Sequence, residues 1–275
     1  NEILKQCDTI DGVKDGIINN PTKCNFNFNL LPKCSGDVSG KDCFTKQQIR
    51  AIKTIYDGVK MECGISYPGF PFGGENKAWG WRPWITGPSP GSREFGYPSG
   101  QAAFGIQIYK YLILQDPYWN YLSYDFTGYD KEIKYARAYL DATSTDYTEF
   151  KDHNGKIIIW HGWSDPAVSA LATIEHYKGV QENHADIKDF MRLFLLPGVL
   201  HCGNGDGPDQ VEWIKPIRDW VEKNNPPNRI IAKKIIKNKE VISRPIFPYP
   251  KEAIYNGSGN PDIENNWIQN KNVGH

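Results

Sequence analysis

Two residues have the type and the setting for acid–base chemistry. Asp165 follows the apolar run Lys156-Ile157-Ile158-Ile159-Trp160, and His201 follows a second run, Phe190-Met191-Arg192-Leu193-Phe194-Leu195-Leu196. Serine acyl transfer needs a hydroxyl that attacks, an imidazole that takes its proton, and a carboxylate that holds the imidazole in one tautomer. Where a hydrolase orders these as Ser, then acid, then His, the last two fall after consecutive late strands. The competing reading is plain: Asp165 caps a helix beginning near Ala167, and His201 is a loop histidine. A second cluster, Cys7-Asp8-Thr9-Ile10-Asp11-Gly12-Val13-Lys14-Asp15-Gly16-Ile17, spaces three carboxylates with glycines. Ca²⁺ takes roughly six to eight oxygens, and crowded carboxylates repel unless a cation or hydrogen bonds compensate. The spacing is not that of an EF-hand, and a solvated turn is the alternative.

The elements that must position these residues are legible in outline. The first run, short and β-branched, predicts a strand buried on both faces, as in a parallel sheet, and the second apolar run predicts another strand. Ala167 to Val180 and Val211 to Glu222 have helical patterns. Strand, helix, strand, helix predicts an α/β unit, whose function gathers in loops beyond the carboxyl ends of the strands. Upstream, residues 1–45 read as loop and Thr45 to Tyr56 as a helix opened by a Thr45/Gln48 capping box. Phe104 to Leu114 and Asp130 to Tyr139 are further helices.

The 275 residues carry 32 basic and 32 acidic side chains, so there is no electrostatic footprint for nucleic acid or an anionic membrane. No apolar run approaches the length of about 18 residues that a membrane span needs. Six cysteines stand at 7, 24, 34, 43, 63 and 202 without CxxC or HxxxH spacing, which favours disulfides in an oxidising compartment over zinc. Asn256-Gly257-Ser258 is a glycosylation sequon and agrees with a secreted, extracellular protein. The chain opens Asn1-Glu2-Ile3 with neither an initiator Met nor a leader, and reads as a processed or truncated product.

Three stretches carry a resemblance. His161-Gly162-Trp163-Ser164-Asp165-Pro166 looks like the acid loop of the tannase/feruloyl esterase family, and Leu196-Pro197-Gly198-Val199-Leu200-His201-Cys202-Gly203 resembles its histidine loop. Arg244-Pro245-Ile246-Phe247-Pro248-Tyr249-Pro250 resembles its tail motif. The resemblance implies the C-terminal part of an α/β-hydrolase fold with a large inserted lid: residues 1–145 as lid, incomplete at the N-terminus, and 146–275 as hydrolase. It makes Asp165 and His201 the acid and base. It implies that Cys202 bridges to a cysteine beside a nucleophilic serine, in an upstream part of the same enzyme lying outside this sequence, and that this chain alone is inactive. The literal match Gly87-Pro88-Ser89-Pro90-Gly91 lacks a preceding strand and is ruled out as the elbow by its prolines.

The same resemblance assigns a structural Ca²⁺ to the side chains of Asp8, Asp11 and Asp15 and the carbonyls of Val13 and Ile17. It pairs Cys7 with Cys24 and Cys34 with Cys43, leaving Cys63 free or paired elsewhere; a Cys63–Cys202 bond is the alternative. Phe247 stands where relatives begin a tail disulfide. The implied substrate is a small aromatic ester, feruloyl preferred and galloyl accepted. Lys110 and Trp163 are the expected substrate contacts, and Trp79, Trp81 and Trp84 are stacking platforms. Lys in place of the Arg of some relatives makes a terephthalate-type substrate less favoured, since Lys offers a point charge rather than a fork. Two rivals remain: a non-catalytic, calcium-dependent carbohydrate-binding protein, and a metallohydrolase using His161, Asp165 and His201.

Overall fold

The computed structural model describes residues 1–60, 66–87, 96–126 and 131–270. Ser89 and Cys63, with the pairing alternatives that involve Cys63, lie outside the described residues.

The N-terminal region is mostly irregular. A short helix α1 (Glu2–Cys7) leads into loops tied by Cys7–Cys24 and Cys34–Cys43 disulfides. Cys7, Ile18, Cys24 and Phe26 form a small core there, flanked by Phe28 and Phe72. Helix α2 (Lys46–Asp57) begins at Thr45, whose hydroxyl accepts from the Gln48 N–H while the Gln48 side chain accepts from the Thr45 N–H. Two orphan amides are thereby satisfied, which sets where the helix starts. Strands β1 (Val59–Lys60) and β2 (Ser66–Tyr67) pair antiparallel. Helix α3 (Gly100–Ile108) starts four residues before the expected Phe104, because Ser99 caps it through the Ala102 N–H, and it runs into a π-helical turn, Tyr109–Ile113. Helices α4 (Lys131–Leu140) and α5 (Thr148–Asp152) follow.

Beyond residue 150 lies the α/β unit. Strand β3 (Ile157–Gly162) leads through the Asp165 loop to α6 (Ala170–Asn183), then to β4 (Met191–Leu196), parallel to β3. Every residue of β4 is buried. Its alternation sends Leu193 and Leu195 into a core with Ile174, Tyr177 and Val180 of α6, and Phe194 and Leu196 into a second core with Ile230, Ala232 and Ile246. The expected burial of both faces does not extend to β3, which is half-buried with Trp160 exposed. Among the described residues β3 pairs only with β4, so its outer edge is uncovered.

The expected helix at 211 starts later. Strand β5 (Gln210–Val211) precedes α7 (Ile214–Lys223), because Glu212 accepts from the N–H groups of Ile214 and Lys215. A hairpin of β6 (Ile230–Ile236) and β7 (Lys239–Ile246) turns on Lys237 and Asn238, both with left-handed φ, the twist that two-residue hairpins require. From β7 the tail runs along the free edge of β4, where the Tyr249 N–H donates to the Leu193 carbonyl at 2.7 Å. Strands β8 (Ala253–Tyr255) and β9 (Trp267–Gln269) close the chain.

Candidate active site

The carboxyl ends of β3 and β4 point two loops the same way, and hydrogen bonds lock the loops together. The Trp163 N–H donates to the Leu196 carbonyl at 2.9 Å and the Ser164 N–H to the Val199 carbonyl at 3.0 Å. A Cβ on Gly162 would lie 2.3 Å from the Val199 oxygen, so only glycine allows this approach. Asp165 and His201 meet as a result: His201 Nδ1 and Asp165 Oδ2 are 2.9 Å apart.

Asp165 is 6% exposed and its carboxylate is fully engaged. Oδ1 accepts from the Ala167 and Val168 N–H groups at 2.8 and 2.9 Å. Oδ2 lies 2.9 Å from His201 and 3.3 Å from His161 Nε2. The helix-capping alternative is therefore met only halfway: Oδ1 closes the turn, α6 itself is capped by Ser169 through the Leu171 N–H, and Oδ2 remains for the imidazoles. Burial alone would raise the Asp165 pKa. Hydrogen bonds from His161, Val168, His201 and Ala167 outweigh it and hold the carboxyl below the ordinary carboxylate range.

His161 is the residue that the catalytic reading of the sequence passed over. Its Nδ1 faces Thr173 Oγ1 on α6 at 2.8 Å, and its Nε2 faces the Val168 carbonyl at 3.1 Å as well as Asp165. The Val168 oxygen can only accept, so Nε2 carries the proton and Nδ1 accepts from Thr173. The one signal in the sequence is the i,i+4 spacing of His161 and Asp165. Among the described residues no three His, Cys, Asp or Glu side chains form a ready-made metal cage.

The N-terminal region presses on both loops. Gly74, at φ +80°, brings its backbone so close that a Cβ would stand 2.8 Å from Leu200 and 2.9 Å from Ser164. Gln101 donates to the Pro166 and Ala167 carbonyls at 3.1 and 2.7 Å, and Lys77 pairs with Asp206. Trp84 sets its ring against His201, centroids 5.1 Å apart and planes at 73°, and stacks on Phe104. Of the three candidate platforms, Trp84 is thus the one at the base; Trp81 is buried against Tyr56, and Trp79 is exposed on the surface. Trp163 is 4% exposed within the α6 core. It lines a cavity of about 320 Å³ with Ile174, Pro245 and Tyr249, and neither Asp165 nor His201 lines that cavity. Lys110 sits half-buried in the turn after α3, and among the described residues no hydrogen bond or ion pair joins it to Asp165 or His201. Cys202, at φ +59°, is exposed beside the base and has no disulfide partner among the described residues.

The Asp8–Ile17 loop is the second candidate site. Asp8 Oδ1 accepts from the Gly16 N–H at 2.8 Å, Asp11 Oδ1 from Val13 at 3.1 Å and Asp15 Oδ1 from Ile17 at 3.0 Å. Asp8 and Asp11 are buried, and Asp11 Oδ2 has no hydrogen-bond partner among the described residues. Burial, reinforced by the Asp15 charge, pushes the Asp11 pKa up to about 6 and raises Asp8, against the pull of their backbone N–H donors. Asp8, Asp11 and Asp15 do not form a ready-made three-carboxylate cage either, so a cation here would draw on backbone carbonyls as well; hard oxygen donors, buried charge and the orphaned carboxylate oxygen fit a divalent cation such as Ca²⁺.

The chain was compared with known proteins. The model of the family "Tannase and feruloyl esterase" matches residues 1–269. The mono(2-hydroxyethyl) terephthalate hydrolase of Piscinibacter sakaiensis is 29% identical over 96% of this chain and 50% of its own length. Feruloyl esterase B of Aspergillus niger is 27% identical over 97% of the chain and 52% of its own. The chain therefore spans about half the length of the curated relatives it matches. The crystal structure of feruloyl esterase B from Aspergillus oryzae superposes with a TM-score of 0.80 at 24% identity, over 98% of this chain and 55% of that one. That likeness identifies the fold as the α/β-hydrolase type. Because the family match runs through the Asp165 loop, the His201 loop and the Asp8–Ile17 loop alike, the chain belongs to the tannase and feruloyl esterase family.

Proposed function

We propose that this chain supplies the acid and base of a secreted serine carboxylesterase acting on esters of aromatic acids, with feruloyl and other hydroxycinnamoyl esters of plant cell wall preferred and galloyl esters accepted. The observation that carries the reading is the 2.9 Å contact between His201 Nδ1 and a buried, fully engaged Asp165. With the Nδ1 proton donated to Asp165, His201 Nε2 is the basic nitrogen. It takes the proton of an attacking hydroxyl and returns it to the departing alcohol. Asp165 stays ionised and compensates the imidazolium that forms between those steps. The imidazole is 35% exposed, so its free edge is open to a nucleophile. A carbohydrate-binding module has no use for this pair.

In this reading the serine and its oxyanion hole belong to an upstream part of the same enzyme, joined to this chain through Cys202. The exposed thiol next to His201 supports that tether, which would hold base and nucleophile in register. Residues 1–145 act as the lid, and Trp84 against His201 places an aromatic face where an aromatic acyl group would lie. The Asp8–Ile17 loop holds a structural Ca²⁺ through Asp8, Asp11 and Asp15 and the carbonyls of Val13 and Ile17; the ion's chemistry is charge compensation in the lid. The two disulfides support secretion, since such bonds persist in oxidising compartments. Among the described residues no helix is long and apolar enough to cross a membrane.

The test is hydrolysis of methyl ferulate, methyl gallate and a terephthalate monoester by the whole protein, upstream part included. Ferulate turnover above gallate, with the terephthalate ester slowest and the isolated 275-residue chain inert, is the expected result. Failure of the whole protein to cleave any of the three sinks the proposal.

A further inference from the structure

We infer that Arg244 is the outer partner of the Asp8–Ile17 cation site and that it couples cation binding to docking of the C-terminal tail. The inference rests on the calcium reading above and extends it from the lid to the far end of the chain.

Arg244 is 0% exposed at the end of β7. Its Nη2 lies 2.7 Å from Asp15 Oδ2, across 229 residues of sequence, and its guanidinium stacks 4.0 Å over the Trp267 ring. A buried guanidinium is costly unless its donors are satisfied. Among the described residues Nε and Nη1 have no hydrogen-bond partner, so the single bond to Asp15 and the Trp267 face leave the charge incompletely compensated. Simple stabilisation of the tail is a poor account of such a residue. Orientation of Asp15 is a better one. With Oδ1 on the Ile17 N–H and Oδ2 on Arg244, that carboxylate has one permitted orientation. Metal-ligating carboxylates are commonly held this way by a second layer of hydrogen bonds.

The remaining contacts make the loop and the tail a single unit. The Tyr255 N–H donates to the Asp11 carbonyl at 3.4 Å, and Asn19 Nδ2 donates to the Ala253 carbonyl at 2.6 Å. Asn20 Nδ2 reaches Glu252 at 2.9 Å, and Lys23 pairs with the same carboxylate. Val13, from between two of the carboxylates, packs in one apolar cluster with Phe247, Ala253 and Trp267. A cation that orders the loop therefore orders the surface on which the tail lies. By linkage, the tail strengthens cation binding to the same extent.

The experiment measures two quantities on the whole protein: Ca²⁺ affinity by calorimetry, and hydrogen exchange of residues 242–269 with Ca²⁺ or with chelator. Wild-type protein is expected to show slower exchange in β8 and β9 when Ca²⁺ is present. Arg244→Met should weaken Ca²⁺ binding by about 10- to 100-fold and remove that difference, and Arg244→Lys should restore part of both. Lys233→Ala, which cuts only the exposed ion pair to Glu240 within the β6–β7 hairpin, is expected to leave the affinity unchanged and so separates positioning by Arg244 from general loosening of β7. Ca²⁺ binding with no change in tail exchange, or Arg244→Met binding as tightly as wild type, overturns the coupling and leaves the calcium reading standing. No Ca²⁺ binding by wild type overturns both. The wild-type exchange measurement decides the matter even where Arg244→Met does not fold.

Discussion

Asp165 and Asp11 are almost equally buried, at 6% and 8% exposure, yet their surroundings push their carboxyls in opposite directions. Around Asp165, two backbone N–H groups and two imidazoles engage both oxygens, and the carboxyl is held below the ordinary range. Around Asp11, one backbone N–H engages one oxygen, the other is orphaned, and burial carries the pKa up to about 6. Burial is the same cost at both places; the difference is whether the protein supplies the donors. A charge that the protein fully compensates can serve the chemistry of a neighbouring imidazole. One left short suits a ligand that brings positive charge.

Substitutions at the two sites should separate in kind. At the first, His201→Ala and Asp165→Asn should lower kcat of the whole enzyme by roughly 10⁴- to 10⁶-fold while Ca²⁺ affinity stays as in wild type. An Asp165→Asn enzyme with near wild-type kcat would erase the contrast. At the second, chelation should lower the melting temperature. Saturation at about 100 times Kd corresponds to about 2.7 kcal/mol of stabilisation. Asp11→Asn should abolish that response, and an unchanged melting curve on chelation would remove the cation from the comparison.

Acid should also distinguish the sites. A depressed carboxyl stabilises the fold fully above the unfolded value of about 4 and loses that contribution as pH falls through its lower folded value. Denaturant midpoints measured from pH 6 downwards should therefore fall less steeply in Asp165→Asn than in wild type. His161 sharpens the picture further. His161→Leu removes a donor from Asp165 and should lower kcat about tenfold with KM little changed, and His161→Gln, which can still donate, should recover much of it. The smallest effect is expected at Trp84. An edge-to-face ring contact is worth about 0.5–1.5 kcal/mol, so Trp84→Ala should change kcat/KM by roughly 3- to 10-fold.

The parts of this molecule legible in the sequence are those governed by near neighbours. The Thr45/Gln48 box set the start of α2 because a cap and its partner are one helical turn apart. The two short apolar runs, the first of them β-branched, located β3 and β4, and so placed Asp165 and His201 in loops at one end of a parallel pair. The β6–β7 hairpin has no such local mark, because its turn, Lys237-Asn238, lacks the glycine that usually signals a two-residue connection. The sequence offers Asp165 as the cap of a helix beginning near Ala167; α6 starts later, at Ala170, because Ser169 accepts from the Leu171 N–H.

Partnerships between distant segments had no such local signal. That His161 turns toward Asp165 depends on Thr173, one turn into α6. That Trp84 rather than Trp79 or Trp81 meets His201 depends on how the segment after Gly74 lies over Leu200 and Ser164. That Arg244 reaches Asp15 depends on the tail pairing with β4 and folding back on the N-terminal loop. The sequence by itself determined the inventory: an acid and a base at the ends of two strands, a carboxylate-rich loop, cysteines spaced for bridges. Those follow from side-chain chemistry and from the 2.0- and 3.6-residue periods of strand and helix, which act over a few residues. Only the tertiary structure decided which members of that inventory meet. Contacts across many residues form only when packing brings the segments together and repays the entropy of closing the chain between them.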